Sequence, residues 1–252
     1  MSRPHISVCI PVYEMNGFGT SFLAHNLRCL ADQDFKDFEV IVADQSRNDE
    51  IKHLCAQFAG QMNIKHLVNS KTKRQASANT NYAMKHAEGK IIKILFQDDY
   101  PYIPDALSIL SDGFDLTKDH WCVTASEHSY DGETVFRPFF PKYNERIHFG
   151  KNTISSPSVL ALNNTREILE FDENLIWLMD VDYYKRCYEK FGQPLIIEDI
   201  LVVNRLHSSQ VSAGVSKRLV RHELRIVKEK YLNQMTLADR LYYLRKYIRV
   251  KP

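Results

Sequence analysis

The chain contains 252 residues, 44% of them hydrophobic and 25% charged, and carries a formal net charge of +2. Such a composition is ordinary for a globular protein, with room for one large domain or a domain plus an appendage. It excludes a membrane-spanning helix, because no apolar run approaches the ~20 residues that are needed. The opening MSRPHISVCIPVY also lacks the pattern of a signal peptide.

The first hundred residues alternate between strand and helix patterns. Strands are predicted at 5–13, 38–43, 63–68 and 90–96, and helices at 20–33, 49–59 and 76–89, the last closed by Gly89 as its C-cap. This alternation indicates βαβ units in a parallel sheet. Such sheets bind ligands at the carboxyl ends of their strands.

Polar side chains follow each of the first four predicted strands. They are Tyr13, Asp44, the basic group Lys71, Lys73 and Arg74, and the adjacent pair Asp98 and Asp99. Two neighbouring carboxylates repel by roughly 1 kcal/mol or more, so this pair indicates either a positive partner or the cap of a turn. An edge with acidic groups on one side and basic groups on the other suits a nucleotide diphosphate with a divalent cation. The basic group is equally compatible with a solvated charge run.

The middle of the chain, from about 112 to 175, is less regular. Short strands are predicted at 121–127 and 134–140, and a helix at 177–192 ends at Gly192 as its C-cap. β-structure then returns at 194–207.

The cysteines of the chain show no C-x-x-C pair and lie far apart, at Cys9, Cys29, Cys55, Cys122 and Cys187. This spacing predicts buried, reduced thiols of a cytosolic protein. We therefore expect a cytoplasmic location.

Five segments, in order, resemble the family-2 glycosyltransferases, whose GT-A fold is an α/β fold with a Rossmann-like mixed sheet flanked by helices. They are ISVCIPVYEMN, FEVIVADQSRND, NYAMKHAEGKIIKILFQDDYPYIPDAL, FDENLIWLMDVDYYKRCYEKFG and NRLHSSQVS. The sequence departs from the family pattern at four positions: Thr80 replaces the usual Arg, Ala83 replaces the usual Gly, Phe96 stands at the first Asp position of the aspartate motif, and Met179 stands where an acidic residue often precedes the catalytic Asp.

The resemblance implies a GT-A glycosyltransferase domain over 1–212 and a basic helical C-terminal extension over 213–252. Within the domain, 1–110 would form the nucleotide-binding half and 111–212 the acceptor half.

The resemblance also implies which residues bind the nucleotide. Pro11 and Tyr13 would contact its base, Asp44 would accept a hydrogen bond from the base, and Arg74 would reach the phosphates. Asp98 would face the ribose or the metal.

A metal site and a catalytic base are implied in the same way. Asp99 and His207 would bind Mn²⁺ or Mg²⁺, hard cations that favour oxygen ligands, although His207 would alternatively donate to the diphosphate. Asp180 would be the general base. Asp182, two residues on, would point to a different face of the helix and help to shape the site.

These roles add up to an inverting glycosyltransferase that uses a nucleotide sugar, expected to be a UDP-sugar, and a divalent metal. The acceptor would be a saccharide, a lipid-linked saccharide or another hydroxyl, entering near Ser155, Ser156 and Ser158. Two alternatives stay open: a nucleotidyltransferase-like enzyme and a non-catalytic nucleotide-sugar-binding module.

Two helices are predicted at the end of the chain, at 217–232 and 237–247. From Ser216 to Pro252 there are eleven Lys/Arg and three Asp/Glu, and apolar stripes alternate with basic flanks. This pattern is compatible with packing on the enzyme body, dimerisation, peripheral contact with the inner membrane surface, or a nucleic acid acceptor.

Overall fold

The computed structural model describes residues 3–165, 167–208, 210 and 214–250. The predicted boundary between 212 and 213 lies outside these residues. So do Ser209, Val211 and Ser212 of the NRLHSSQVS segment.

The strands of the described residues form one mixed sheet. They are β1 Ile6–Val12, β2 Phe38–Asp44, β3 Asn63–Val68, β4 Ile91–Ile94, β5 Tyr100–Pro101, β6 Trp121–Ser129, β7 Val135–Phe139, β8 Leu160–Asn163 and β9 Leu195–Arg205. Their order is β3-β2-β1-β4-β8-β6-β9-β5, and β7 pairs with β6.

The predicted βαβ alternation is confirmed in the first half of the sheet. β1 pairs in parallel with both β2 and β4, and β2 pairs in parallel with β3. The sheet then changes direction, because β8 is antiparallel to both β4 and β6. The mixed sheet of the GT-A fold is thereby confirmed, and the carboxyl ends of β1, β2 and β4 meet at one edge.

Helices cover both faces of the sheet. They are α1 Gly19–Ala31, α2 Glu50–Phe58, α3 Ala76–Lys85, α4 Ala106–Gly113, α5 Met179–Phe191, α6 Lys217–Tyr231 and α7 Leu237–Arg249. One hydrophobic core lies under α1, α2 and α4, and a second lies under α3, α5 and α6. No helix within the described part of the chain is both long and apolar enough to cross a membrane.

Two glycines that the sequence singled out have different roles. Gly192 caps α5 as predicted, with φ +80° and its N–H donating to the carbonyl of Tyr188. The prediction for Gly89 is wrong, because α3 already ends at Lys85. Gly89 lies against β1 instead: a Cβ there would be 2.5 Å from the backbone nitrogen of Ser7. Its small size is required by packing between elements.

The C-terminal helices pack on the rest of the fold. On α6, Val220, Leu224, Val227 and Tyr231 are buried in the same core as α5. On α7, Tyr243 is buried in that core. The two helices therefore share a hydrophobic core with the sheet and are not a detached extension.

The cysteines are free, as predicted. Cys9, Cys55, Cys122 and Cys187 are buried and Cys29 is half-buried.

Candidate active site

A cavity of about 680 Å³ opens at the carboxyl ends of β1 and β4. Its size is within the range of about 300–1,000 Å³ that is usual for small-molecule sites. Eight of the residues given a site role from the sequence line it: Pro11, Tyr13, Arg74, Asp98, Asp99, Ser155, Ser156 and Asp180. The sheet thus brings residues that are up to 169 positions apart to one cavity.

Asp98 lines the cavity and forms a close pair with His207, which is not among the lining residues. His207 Nε2 lies 2.9 Å from Asp98 Oδ2, and the ring of His207 packs on Phe22 with a centroid distance of 4.7 Å. The other ring nitrogen, Nδ1, is buried and has no hydrogen-bond partner among the described residues. The partner of Asp98 is therefore the imidazole of His207.

Asp99 points away from that pair. Its side chain is buried, and its Oδ1 accepts from the backbone N–H of Arg205 (3.0 Å) while its Oδ2 accepts from the hydroxyl of Ser156 (3.2 Å). Burial, followed by the charge of Asp98, raises the pKa of Asp99 well above its ordinary value. Asp99 therefore joins β9 to the loop after β4, whereas Asp98 is the carboxylate beside His207.

Asp44 is also engaged by the protein. Its Oδ2 lies 2.8 Å from His66 Nε2 and its Oδ1 accepts from the N–H of Ser46 (2.8 Å). It is 4% exposed, and its neighbour Gln45 lines the cavity instead. Asp44, which the sequence predicted to accept a hydrogen bond from the nucleotide base, is therefore not among the residues that line the cavity.

Arg74 lines the cavity and forms an ion pair with Glu14, with an N–O distance of 3.1 Å. Of the other two basic residues in the same loop, Lys73 donates to the carbonyl of Glu173, and Lys71 is exposed. Arg74 is thus the member of this group that the structure places at the cavity.

Two amides that the sequence did not single out fix the strand ends. Gln97 accepts from the N–H of Tyr13 (2.7 Å) and donates to its carbonyl (3.1 Å). Asn79 on α3 donates to the carbonyls of Val12 (3.2 Å) and Ala43 (2.8 Å). Both amides line the cavity. For Asn79, the sequence feature that could have predicted a site residue was the polar face of a short buried helix.

Asp180 lies in the first turn of α5, where the helix dipole favours negative charge. Its Oδ2 accepts from Asn152 Nδ2 and its Oδ1 from the N–H of Val181, both at 2.7 Å. Burial is the largest influence on this carboxyl, and it raises the pKa of Asp180 to about 7. A carboxyl with this pKa exchanges protons near neutral pH.

A buried carboxylate on α6 holds the backbone just before Asp180. Glu223 Oε1 accepts from the N–H of Ile176 (2.8 Å), and its Oε2 accepts from those of Trp177 (3.0 Å) and Leu178 (2.8 Å). These groups belong to the residues that lead into α5, whose N-cap is Leu178, so the carboxylate fixes the start of that helix. The sequence signal was an acid on the apolar side of an otherwise basic helix.

Asp182 does not line the cavity. It is buried and binds the C-terminal helix: Lys230 Nζ and Tyr231 Oη each lie 2.9 Å from its carboxylate, and Arg186 Nε lies 2.8 Å away. The expectation that Asp182 helps to shape the site is therefore replaced by a role in anchoring α6.

Solved structures share this fold. The fold matches a crystal structure of S. aureus TarS in complex with UDP-GlcNAc at a TM-score of 0.72 and 20% identity, over 98% of this chain and 72% of that one. It also matches a mannosyltransferase from Pyrobaculum calidifontis in complex with GDP-Man and Mn²⁺ at a TM-score of 0.62 and 16% identity, over 99% and 74% of the two chains. These likenesses show that the chain has the GT-A fold.

The family follows from the sequence comparison. Residues 7–161, more than half of the chain, match the model of Glycosyl transferase family 2, and the chain belongs to that family.

Curated relatives cover different shares of the chain. A glycosyltransferase of Methanocaldococcus jannaschii is 23% identical over 256 residues, which is 96% of this chain and 85% of that protein. A Sinorhizobium fredii protein is 26% identical over 218 residues, which is 85% of this chain but 24% of that protein. GalNAc(5)-diNAcBac-PP-undecaprenol beta-1,3-glucosyltransferase of Campylobacter jejuni is 29% identical over 108 residues, which is 42% of this chain and 33% of that protein. The chain thus spans a quarter to a third of two of these relatives.

Proposed function

We propose that this glycosyltransferase transfers a sugar from a UDP-sugar to an acceptor hydroxyl with inversion at the anomeric carbon, assisted by Mn²⁺ or Mg²⁺. The observation that carries the proposal is that one cavity is lined by both Asp98, the partner of His207, and the carboxylate Asp180, whose pKa lies near neutrality. A UDP-sugar structure among those with the same fold supports the donor class.

The residues at the Asp98 wall fit a divalent cation. Asp98 Oδ2 and His207 Nε2 are 2.9 Å apart, so a carboxylate oxygen and an imidazole nitrogen lie close enough together to hold one ion. The described residues hold no cluster of three or more His, Cys, Asp or Glu side chains suited to a metal. Two protein ligands with diphosphate oxygens and water are a usual set for such an ion.

This fit changes one assignment made from the sequence. Asp98 and His207 would hold the cation, and the cation would offset the negative charge of the departing diphosphate. Asp99 would keep the β9 backbone in place through Arg205.

Asp180 supplies the proton transfer. The acceptor hydroxyl gives its proton to the Asp180 carboxylate as its oxygen forms a bond to the anomeric carbon. The bond between that carbon and the diphosphate oxygen breaks, and UDP leaves with the electron pair. Asn152 and the N–H of Val181 hold the carboxylate in place, and such a base contributes about 10²–10⁴-fold.

The acceptor wall contains both polar and aromatic groups. Asn152, Ser155 and Ser156 line the cavity near Asp180, and Trp177 lies on the same lining. Hydroxyl and amide groups with an aromatic face suit a saccharide. A saccharide carried on a lipid is the acceptor class that the Campylobacter jejuni relative supports.

A melting experiment tests the donor and metal assignment. At 100 times its dissociation constant, UDP with Mn²⁺ should stabilise the folded protein by about 2.7 kcal/mol, and UDP with a chelator by far less. Asp98→Asn and His207→Ala should lose the metal-dependent part, whereas Asp112→Asn, an exposed change on α4, should keep it. Equal shifts with and without metal would refute the metal assignment.

Transfer itself separates the proposal from its two alternatives. Asp180→Asn keeps the shape of the side chain but cannot accept the proton, so transfer should fall by at least about a hundredfold while UDP stabilisation persists. A nucleotidyltransferase would release pyrophosphate in place of UDP. A binding module would be stabilised by a UDP-sugar and release neither.

A further inference from the structure

We propose that the outward face of α7 docks on an anionic phospholipid membrane. α7 has two opposite faces. The inward face holds the buried Tyr243 and Lys246, whose Nζ donates to the carbonyl of Gly150 (2.7 Å). Asp239, on the same side, forms an ion pair with Arg146 at 2.7 Å.

The outward face of α7 carries an apolar stripe. Leu237 is 75% exposed, Leu241 49%, Leu244 51% and Ile248 58%. At 3.6 residues per turn these four positions fall on one line along the helix. They form the densest set of exposed large aliphatic side chains on the described surface.

Basic side chains flank this stripe on both sides. Arg240 lies on one flank and Arg245 and Arg249 on the other, and all three are exposed. The single acid of α7, Asp239, is on the inward face. The outward face is therefore apolar at its centre and purely positive at its margins, the pattern of a helix that lies in the interface of an anionic bilayer.

Charge and area both argue against a second copy of this chain as the occupant. In a two-fold interface the same patch meets itself, which would bring arginines of like charge together. Four partly exposed aliphatic side chains also provide only about half of the roughly 800 Å² per partner of a standard interface. A bilayer with negative headgroups can bury the apolar stripe and pair with the arginines on its flanks.

The docked helix would lie next to the acceptor side of the cavity. Lys246 Nζ lies 6.0 Å from the ring centroid of Trp177, and Trp177 lines the cavity. An α-helix with its side chains is about 10–12 Å across, so the membrane surface would lie about one helix diameter from Trp177. Resting on the proposed function, this placement favours an acceptor saccharide attached to a membrane lipid.

Vesicle binding of the full chain, measured without any nucleotide sugar, tests the docking separately from transfer. The protein should sediment with vesicles of phosphatidylcholine and phosphatidylglycerol. In 1 M NaCl it should be released, because salt screens the electrostatic attraction to within about 3 Å. Binding to pure phosphatidylcholine should be much weaker. Equal binding to both vesicle types, or none to the anionic ones, would overturn the proposal.

Charge variants localise the contact. Each Arg near an anionic surface contributes about fivefold, so a triple change to Gln should lower vesicle binding about a hundredfold. The three positions are Arg240, Arg245 and Arg249. A control removes the same charge from exposed positions on other elements: Arg28, Lys52 and Lys118. Equal losses in both triple variants would show that net charge alone acts, and would overturn the assignment to α7.

Stripe variants separate a membrane from a protein partner. Leu241→Ser with Leu244→Ser should abolish vesicle binding and leave the protein's mass in light scattering unchanged, and Val68→Ser on β3 should change neither. If the wild type is a dimer that this double variant dissociates, a second copy covers the stripe and the proposal fails. Asp180→Asn should still bind vesicles, so that loss of transfer and loss of docking stay distinguishable.

Discussion

Replacing Glu223 with Gln should weaken the fold and change the pH dependence of catalysis together. The carboxylate accepts from three N–H groups, those of residues 176–178, and the bond from Leu178 is fully buried. Gln keeps one acceptor oxygen and turns an NH₂ group toward the remaining donors. One or two buried donors are then unpaired, at about 1–3 kcal/mol each, so we expect a loss of about 2–4 kcal/mol in the free energy of unfolding. For a chain of this size that lowers the melting temperature by roughly 4–16 °C.

The second effect is electrostatic and follows from the nearness of the two carboxylates. The negative charge of Glu223 contributes to the raised pKa of Asp180. The neutral amide removes that contribution, so the pKa of Asp180 should fall and the acidic limb of kcat/KM should move to lower pH. A purely structural residue would change the height of this profile and leave its midpoint in place.

Urea unfolding and a pH profile of UDP release measure both effects. Glu229→Gln is the matched control, since Glu229 is an exposed acid on the same helix. If Glu223→Gln unfolds at the wild-type urea concentration and keeps the wild-type acidic limb, the carboxylate neither supports residues 176–178 nor acts on Asp180.

Three further predictions concern single positions. In the wild type, kcat/KM should rise about tenfold per pH unit below pH 7 and level off above it, because the base must be ionised and burial raises the pKa of Asp180 to about 7; a flat profile from pH 5 to 8 would exclude this carboxyl as the base. Asp182→Asn should destabilise the protein by about 2–4 kcal/mol in chemical unfolding, since it leaves the half-buried Arg186 without its buried partner, while kcat per folded molecule changes little. Gly89→Ala should lower the unfolding free energy by about 1–3 kcal/mol because its Cβ would meet the β1 backbone, whereas Gly60→Ala, with open space around it, should be near neutral; similar melting of the two variants would contradict the packing role.

The first half of the fold could be predicted because its pattern is local. The first three strands are each followed by a helix and a fourth strand comes next, and the parallel pairing follows from that order. β8 Leu160–Asn163 escaped prediction because a four-residue strand has little pattern of its own. Its place is set by pairing with β4 and β6, which the sequence does not display.

In the candidate site too, local patterns could be predicted and contacts between distant segments could not. The sequence placed Asp98 and Asp99 at the end of β4, but it did not reveal which of the two adjacent side chains faces His207. That choice depends on β9, whose Arg205 N–H engages Asp99. Asp44 was expected to meet the nucleotide base. Its contact with His66 arises from the register of β2 against β3, which pairs His66 with Val42, two positions before Asp44.

The position of Glu223 in the chain also determines when residues 176–178 obtain their carboxylate partner during translation. It joins the growing chain 43 residues after Asp180. At about 5–20 residues per second, roughly 2–9 s pass between the two, and N-terminal segments fold first. The first four strands can assemble during this interval, while residues 176–178 still lack their carboxylate. By the proposed assignment, a nascent chain acquires its nucleotide site before its base is positioned, and the docking face of α7 is synthesised after both.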